Sequence, residues 1–398
     1  MKKQLHFELI LLFGAIGRAL PIIFGPGKEE GCLLKKHYIL AFLFITVLVA
    51  ATDCWSQDDT EIDCGLLLGL RNDSTDPSTY STLWITADSG KVNIRQGTGI
   101  FVPHGDSFWQ IEGKWYEKET YNDSGKDQFQ IEYLSAHPLG QAMAVDEMIR
   151  NYVKSFSQDW SEVHEATKLV FVGKQYACIK QNNEYDTGET SRPGESDTFV
   201  REIEDINRLF MYNEADESGK AQKNVSIRKF FGSAGLSYVK QYRSMAVPES
   251  KQDLFEDAPT ALNRTDEWGW GLVRKSARWR PQIAEKWRFM NSTTAFDTYT
   301  LYDLPLTIPK ALITYNNSAC NFGFLKKAIP EAFDAAVSPN QALWAVFTPR
   351  RLNVYTNKDL KDPVSFILNS KESVIMIEWA AGKYVDQWNS ELGYYLLR

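Results

Sequence analysis

The chain has 398 residues, of which 13% are aromatic and twelve are tryptophan, and its formal net charge is −7. An acidic chain of this kind is not expected to bind nucleic acid non-specifically, because such binding depends on Lys and Arg side chains that neutralise phosphates. The length allows two domains or one large β-rich domain, and the aromatic content favours strands with aromatic faces.

An export signal is predicted at residues 35–51. Residues 35–37 (Lys-Lys-His) form a short positive region, and the fourteen residues 38–51 carry no formal charge. Small side chains at 49–51 (Val-Ala-Ala) stand where a signal peptidase cleaves, and the run is shorter than the roughly 20 apolar residues of a stable membrane span. We therefore expect a protein that is secreted, periplasmic or part of the cell envelope.

The preceding residues 1–34 have three interpretations. Their apolar segment contains Glu8 and Arg18, and a charge at the centre of a span costs about 2.5–3.5 kcal/mol. Translation could start near Leu33 or Leu34, so that this extension is not a structural part of the protein. A long signal peptide and a two-pass anchor are the alternatives. All three place the body outside the cytoplasm, with membrane contact only through the N-terminal segment.

Cysteine content indicates an oxidising compartment. Residues 1–51 hold six of the 44 Lys and Arg and three of the 51 Asp and Glu, so 38 basic and 48 acidic residues remain, a net charge of −10. The remaining cysteines are Cys54, Cys64, Cys178 and Cys320. An even number predicts two disulfides with three possible pairings, of which Cys54 with Cys64 is the most local. A lipoprotein modified at Cys54 is a further alternative, disfavoured by the preceding Asp53.

Strands are predicted wherever an apolar or aromatic run, a tight polar turn and a second run follow one another. Such turns fall at 112–114, 173–174, 275–277 and 348–350, and at least nine strands are expected. The predicted fold class is therefore α+β and β-dominated. It consists of antiparallel hairpins, in a propeller-like or sandwich arrangement, with a few helices.

Helical periodicity is clearest at about 141–157, where apolar residues follow the spacing of one helix face. Further helices are predicted at 198–211 and 322–336. The turn-forming composition of 182–197 predicts an exposed loop.

The segment 248–267 has a similar turn-forming composition to 182–197, and it is the predicted domain boundary. It divides the chain into a β-rich domain at 52–247 and a C-terminal β-rich domain at 265–398.

No motif assembles a catalytic centre, a metal site or a cofactor site. The Asp-Ser-Gly-Lys stretches at 88–91 and 123–126 lack the first glycine of a phosphate-binding loop. Ser237 and Lys240 match S-x-x-K, but the accompanying elements of serine acyl-enzymes are missing. The segment 104–106 (His-Gly-Asp) offers two metal ligands on a turn, which is too few for a closed site.

The most distinctive stretch, 268–288, interleaves aromatic and basic residues in an acidic chain. Its candidate binding residues are Trp268, Trp270, Arg274, Arg278, Trp279 and Arg280. One hypothesis is a surface that stacks on sugars or binds anionic groups. The alternative is a core tryptophan face with Arg side chains stacked on its edges.

The C-terminal segment "SPNQALWAVFTPRRLNVYT", residues 338–356, resembles a propeller-blade hairpin. The whole arrangement is similar to uncharacterised secreted bacterial proteins with Trp-capped hairpins. The resemblance implies a β-rich exported protein and no particular activity.

The function expected from the sequence is a non-catalytic, exported binding or structural protein without a cofactor. Its expected partner is an envelope polysaccharide or another envelope protein, and not nucleic acid. The alternative is an exported hydrolase, directed at glycans or esters, whose catalytic residues are dispersed in the sequence.

Overall fold

The computed structural model describes residues 64–397 with several gaps. The residues outside it are 1–63, 89, 123–124, 142–148, 151–152, 154–161, 187–190, 212–223, 248–259, 291–294, 357, 370–371 and 398. The predicted export signal and Cys54 lie outside the described residues. Glu61–Arg398 form one compact unit.

Four sheets make up the described part of this unit. Sheet A has the order β18-β1-β2-β3, and its strands are all antiparallel. Their bounds are β1 (Cys64–Asn72), β2 (Thr79–Asp88), β3 (Lys91–Thr98) and β18 (Ser373–Ala381). Because β1 pairs with β18, residues from both sides of the predicted boundary share one sheet.

Sheet B contains six consecutive strands, of which β6 and β7 pair in parallel and the others antiparallel. They are β4 (Ile100–His104), β5 (Ser107–Asn122), β6 (Gly125–Pro138), β7 (Glu162–Val172), β8 (Tyr176–Asp186) and β9 (Ser191–Glu202).

Sheets C and D have four strands each, like sheet A, and are antiparallel. Sheet C is built around the long β12 and contains β10 (Thr260–Asn263), β11 (Trp270–Lys275), β12 (Arg278–Met290) and β13 (Ala295–Asp303). Sheet D is a meander of β14 (Asp334–Val337), β15 (Trp344–Thr348), β16 (Arg351–Tyr355) and β17 (Val364–Ile367). The hairpin expected in 338–356 is β15–β16, but the described strands form no closed barrel or propeller.

The strand-dominated α+β class is confirmed. The turns at 173–174, 275–277 and 348–350 join paired strands as predicted. Two other predictions are wrong. Residues 112–114 continue β5, where Gly113 is needed because a Cβ there would lie 2.7 Å from Tyr80 Cε2. Most of the predicted loop 182–197 is strand, paired between β8 and β9.

The helices differ from the prediction more than the strands do. They are a 3-10 helix (Ile203–Met211), α1 (Ile227–Arg243), α2 (Phe322–Ala328) and α3 (Lys383–Leu392). The predicted helix 198–211 therefore begins as strand, and the predicted helix 322–336 ends early, before β14.

Two of these helices, α1 and α3, were not predicted. In α1 the buried residues Ile227, Gly235 and Val239 form a sparse stripe, and Gly232, with φ +55°, interrupts the helical backbone.

The predicted amphipathic helix at 141–157 lies mostly outside the described residues. Within it, residues 149, 150 and 153 are helical. Ile149 and Val153 are buried in one cluster with Ile131 of β6, as expected for the apolar face of that helix.

Sheet A is buried on both faces, which explains the continuous apolar run of β1. Leu67 and Trp84 pack in one cluster with residues of sheet B and α3. Leu66 and Leu68 point to the opposite face and pack with Phe347 of sheet D. Sheet A therefore lies between sheet B and sheet D. Among the described helices, none is long and apolar enough to cross a membrane.

Candidate functional site

The aromatic and basic residues predicted as a binding surface do not form one surface. Trp270 is fully buried and Trp279 is 4% exposed, both in the core between sheets B and C. The Arg274 guanidinium lies over the Trp279 ring at 5.3 Å, which is the cation–π packing of the alternative interpretation. Trp268 is 44% exposed and precedes β11, where its backbone N–H donates to Asp266.

The arginines of this stretch also have separate environments. Arg274 Nε donates to Asp334 Oδ2 at 2.6 Å, and its side chain is only 6% exposed. Arg278 Nη2 donates to the carbonyls of Ser318 and Cys320 at 3.4 and 3.3 Å. Arg280 is exposed. Only Trp268 and Arg280 of the six predicted residues are therefore both exposed and away from the core contacts.

Cysteine pairing is not seen among the described residues. Cys64, Cys178 and Cys320 are buried, and no disulfide joins any two of them. Each of the three pairings predicted from the sequence requires a disulfide between two of these three cysteines. Burial raises the pKa of the Cys178 thiol to about 12 and raises that of Cys320 as well.

A different site is an open cleft of about 730 Å³, here called the aromatic cleft. It lies among the β4–β5 turn, the β7–β8 turn, the end of β18 and α3. The turns contribute Pro103, Gly105–Phe108, Lys174 and Gln175. The C-terminal elements contribute Trp379, Lys383, Tyr384, Gln387, Trp388 and Glu391.

His104 fixes the two turns against each other. Its Nδ1 lies 2.6 Å from the Lys174 carbonyl oxygen, and its Nε2 lies 3.0 Å from Glu204 Oε1 on the 3-10 helix. Gly105 follows with φ +61°, a left-handed conformation that glycine adopts without a Cβ penalty. The turn between β4 and β5 can therefore present Asp106 and Ser107 to the cleft.

Helix α3 forms the opposite wall, and the chain enters it through Gly382 at φ +56°. Val385, Trp388 and Leu392 recur at helical spacing and are buried. Tyr384, on another side of the helix, is 52% exposed, and Lys383 Nζ lies 5.7 Å from the centre of its ring. The helix thus combines a packed face with an aromatic and basic face at the cleft.

Aromatic rings hold this wall in place. The Trp388 ring lies 5.5 Å from that of Trp84 and 5.4 Å from that of Phe108. Trp84 Nε1 donates to Asn389 Oδ1 at 2.7 Å, which links β2 to α3. The Nε1 of Trp379 is buried and has no hydrogen-bond partner among the described residues. These contacts pack α3 against β2 and β5, and among the described residues the Trp379 donor stays unused.

Charges of both signs line the cleft. Lys174, Lys383, Asp106 and Glu391 all line it, and Gln387 Nε2 donates to Glu391 Oε1 at 2.8 Å. Beneath Lys174, burial raises the pKa of Glu378 to about 7, and Lys174 opposes this rise. An aromatic wall combined with amide groups and charges of both signs suits a polar, uncharged ligand that has apolar ring faces.

Sequence reasoning identified only a fragment of this site. The segment 104–106 was singled out as a turn with two potential metal ligands, and it borders the cleft. In the part of the chain that the structure describes, no group of three or more His, Cys, Asp or Glu side chains could hold a metal ion. No helix was predicted at 383–392, although Val385, Trp388 and Leu392 carry a helical spacing that could have identified α3.

Comparisons with known proteins assign no family. No family model matches the chain, and no curated protein matches it. A crystal structure of a DUF3298 family member from Bacteroides fragilis is similar over 55% of this chain and 98% of that one, with 10% sequence identity and a TM-score of 0.25. At this TM-score the similarity carries no argument about fold or function.

Proposed function

We propose that the protein is exported and binds an envelope polysaccharide through the aromatic cleft, without catalysing a reaction on it. The observation that carries this proposal is the position of Trp379, Tyr384 and Trp388 along an open cleft that also contains amide, hydroxyl and charged groups. Sugar rings have apolar C–H faces that pack on aromatic rings, and hydroxyls that pair with such polar groups.

The size of the cleft agrees with this ligand class. A volume of about 730 Å³ lies within the range of roughly 300–1,000 Å³ typical of ligand sites. The cleft is open rather than enclosed, so a polymer can continue beyond it. The acidic charge of the chain disfavours polyanions such as nucleic acid.

Binding of the full-length chain to purified peptidoglycan and to neutral envelope polysaccharides tests the proposal, by sedimentation or calorimetry. We expect Tyr384→Ala to weaken binding about tenfold, because its ring is half exposed at the cleft. Tyr394→Ala is the matched control, since Tyr394 is 94% exposed and does not line the cleft.

Trp268→Ala distinguishes binding at the aromatic cleft from binding at the stretch 268–288, which the sequence predicted. Loss of binding in Trp268→Ala, with Tyr384→Ala unchanged, would move the site to the β11 region. Binding that is unaffected by either substitution, or no binding to any polysaccharide, would contradict the proposal.

Export is tested separately, by N-terminal sequencing and intact mass of the protein from its native host. A mature start at Thr52 or a few residues later would support cleavage after the predicted signal. A chain that still begins at Met1 in the cytoplasm would contradict it.

A hydrolase is the second candidate, because Asp106 and Glu391 come from distant parts of the sequence and line the same cleft. Two carboxylates across a sugar are the machinery of glycoside hydrolysis. Release of reducing ends that is lost in both Asp106→Asn and Glu391→Gln would favour the hydrolase. Binding without release favours the non-catalytic function.

A further inference from the structure

A second cavity, of about 270 Å³, lies where β1, β7, β11, β14 and β18 meet; we call it the inner pocket. Its polar walls include Arg71, Arg274, Asp334 and Glu372. The aromatic cleft shares none of its lining residues, so the two sites are distinct.

Most of the charges around the inner pocket are already paired. Arg71 donates through Nε and Nη2 to Asp73 and through Nη1 to the Leu169 carbonyl. Arg274 donates through Nε to Asp334 and through Nη2 to the Ala335 carbonyl. These contacts leave the Nη1 nitrogen of Arg274, with its two N–H groups, for another partner.

Two buried polar atoms on the pocket walls have no hydrogen-bond partner among the described residues. One is Nη1 of Arg274, whose side chain is 94% buried, and the other is Oε2 of Glu372, a residue that is 5% exposed. Leaving such atoms unsatisfied costs about 1–3 kcal/mol each, more for charged groups. A native protein is expected to satisfy them with water or a ligand.

The two atoms require opposite partners. The guanidinium of Arg274 needs an acceptor, and a buried carboxylate needs a donor with positive charge. Burial raises the pKa of Glu372. A small neutral molecule that carries both a carboxylate and an ammonium supplies both partners without adding net charge.

The remaining walls are apolar and of modest extent. Val170, Val273, Phe333 and Val374 line the same cavity, and these side chains suit an aliphatic group. The volume, about 270 Å³, lies just below the range of roughly 300–1,000 Å³ that is typical of ligand sites. A compact ligand is therefore favoured over a peptide or a sugar chain.

We propose that the inner pocket binds a free aliphatic α-amino acid. Its carboxylate accepts a hydrogen bond from Arg274 Nη1, its ammonium donates to Glu372 Oε2, and its side chain contacts the valines and Phe333. This site is independent of the polysaccharide function proposed for the aromatic cleft.

Calorimetric titration of the extensively dialysed, full-length chain with L-leucine and L-valine tests the proposal. Two analogues divide the ligand into its parts: 4-methylpentanoate lacks the ammonium, and 3-methylbutylamine lacks the carboxylate. We expect both analogues to bind at least tenfold more weakly than L-leucine, because each leaves one buried group unpaired.

Glu372→Gln is the decisive variant, since it removes the charge and nearly preserves the shape. It is expected to fold and to bind L-leucine at least tenfold more weakly. Glu378→Gln is the matched control, because Glu378 is a buried carboxyl on β18, the strand that follows Glu372, and does not line the inner pocket. It should bind L-leucine as the unmodified chain does.

Three outcomes would overturn the proposal. The folded chain could give no binding heat with either amino acid, which would mean that water alone fills the inner pocket. An analogue could bind as tightly as L-leucine, so that only one group is recognised. Glu372→Gln could leave the affinity unchanged, which would place any amino acid site elsewhere.

Discussion

Lys174 Nζ lies 3.9 Å from Oε2 of Glu378, so a half-exposed cation at the rim of the aromatic cleft faces a carboxyl that is almost fully buried. The two residues come from the β7–β8 turn and from β18. Only the packing of sheet A against sheet B brings them together, and their charge balance depends on pH near neutrality.

We predict that Glu378→Gln stabilises the protein at pH 8 and has little effect at pH 4.5. The pKa of this carboxyl is about 7 in the folded chain against an ordinary value of 4.5. The folded state thus holds the proton more tightly, and stability is lost as the pH rises from 4.5 through 7. The shift corresponds to about 3 kcal/mol above pH 7; we expect the variant to recover on the order of 1–3 kcal/mol.

Urea unfolding at both pH values measures this difference. Glu117→Gln, an exposed carboxyl on β5, is the control and should change stability little at either pH. Equal effects of Glu378→Gln at pH 4.5 and pH 8 would contradict the assignment.

Arg274 and Arg280 should differ sharply in their effect on stability. Arg274→Met leaves Asp334 buried without its cation, and removal of one partner of a buried pair costs about 3–5 kcal/mol. Arg280→Ala, at an exposed position, should stay within about 0.5 kcal/mol.

Urea unfolding measures this difference: if the dependence of the unfolding free energy on urea concentration is the same in both variants, the shift in the midpoint gives the loss of stability. The double variant Arg274→Met with Asp334→Leu should regain much of the loss, because it removes the uncompensated charge. A large loss of stability in Arg280→Ala would instead show that this exposed arginine has a structural role.

Gly271→Ala should destabilise the packing of β11 against sheet B by about 1–3 kcal/mol. A Cβ at this position would lie 2.3 Å from Cys178 Sγ and 2.9 Å from Thr198 Cγ2. The cost should be smaller in a Cys178→Ala background, where the closest atom is absent. A double-mutant cycle measures this coupling, and additive effects would mean that the chain relaxes elsewhere.

Cys178 should resist iodoacetamide at pH 8 in the native protein and react after unfolding in urea without reductant. The reason is that the thiol is fully buried and its pKa of about 12 leaves almost no thiolate. Peptide mass mapping identifies the labelled site. Resistance that persists after unfolding would indicate a disulfide formed in the native host, in agreement with the pairing predicted from the sequence.

The sequence predicted those features that depend on neighbouring residues. The turns at 275–277 and 348–350 were found because each lies between two apolar runs. Gly113 misled the prediction, since glycine also occurs where another side chain approaches a strand closely, as Tyr80 does here. Helix α1 was missed because its apolar stripe is too sparse to stand out.

The candidate site was less predictable, because two arrangements of the same residues share one pattern. Trp and Arg alternate in 268–288 whether the rings face solvent or form a core with Arg274 stacked on Trp279. The aromatic cleft joins segments near 105, 174 and 384, which are far apart in sequence. Only His104 and Asp106 drew attention beforehand, and for a different chemistry.

The pairing of β1 with β18 has a consequence for the order of events during synthesis. Ribosomes make β1 early and β18 late. The edge of β1 that pairs with β18 therefore stays unpaired while nearly all of the described chain is being synthesised. Non-local pairing of this kind is slow and leaves an open strand edge in the meantime. A chain that stops before residue 373 lacks both β18 and α3, and we expect it to require a chaperone or to be degraded.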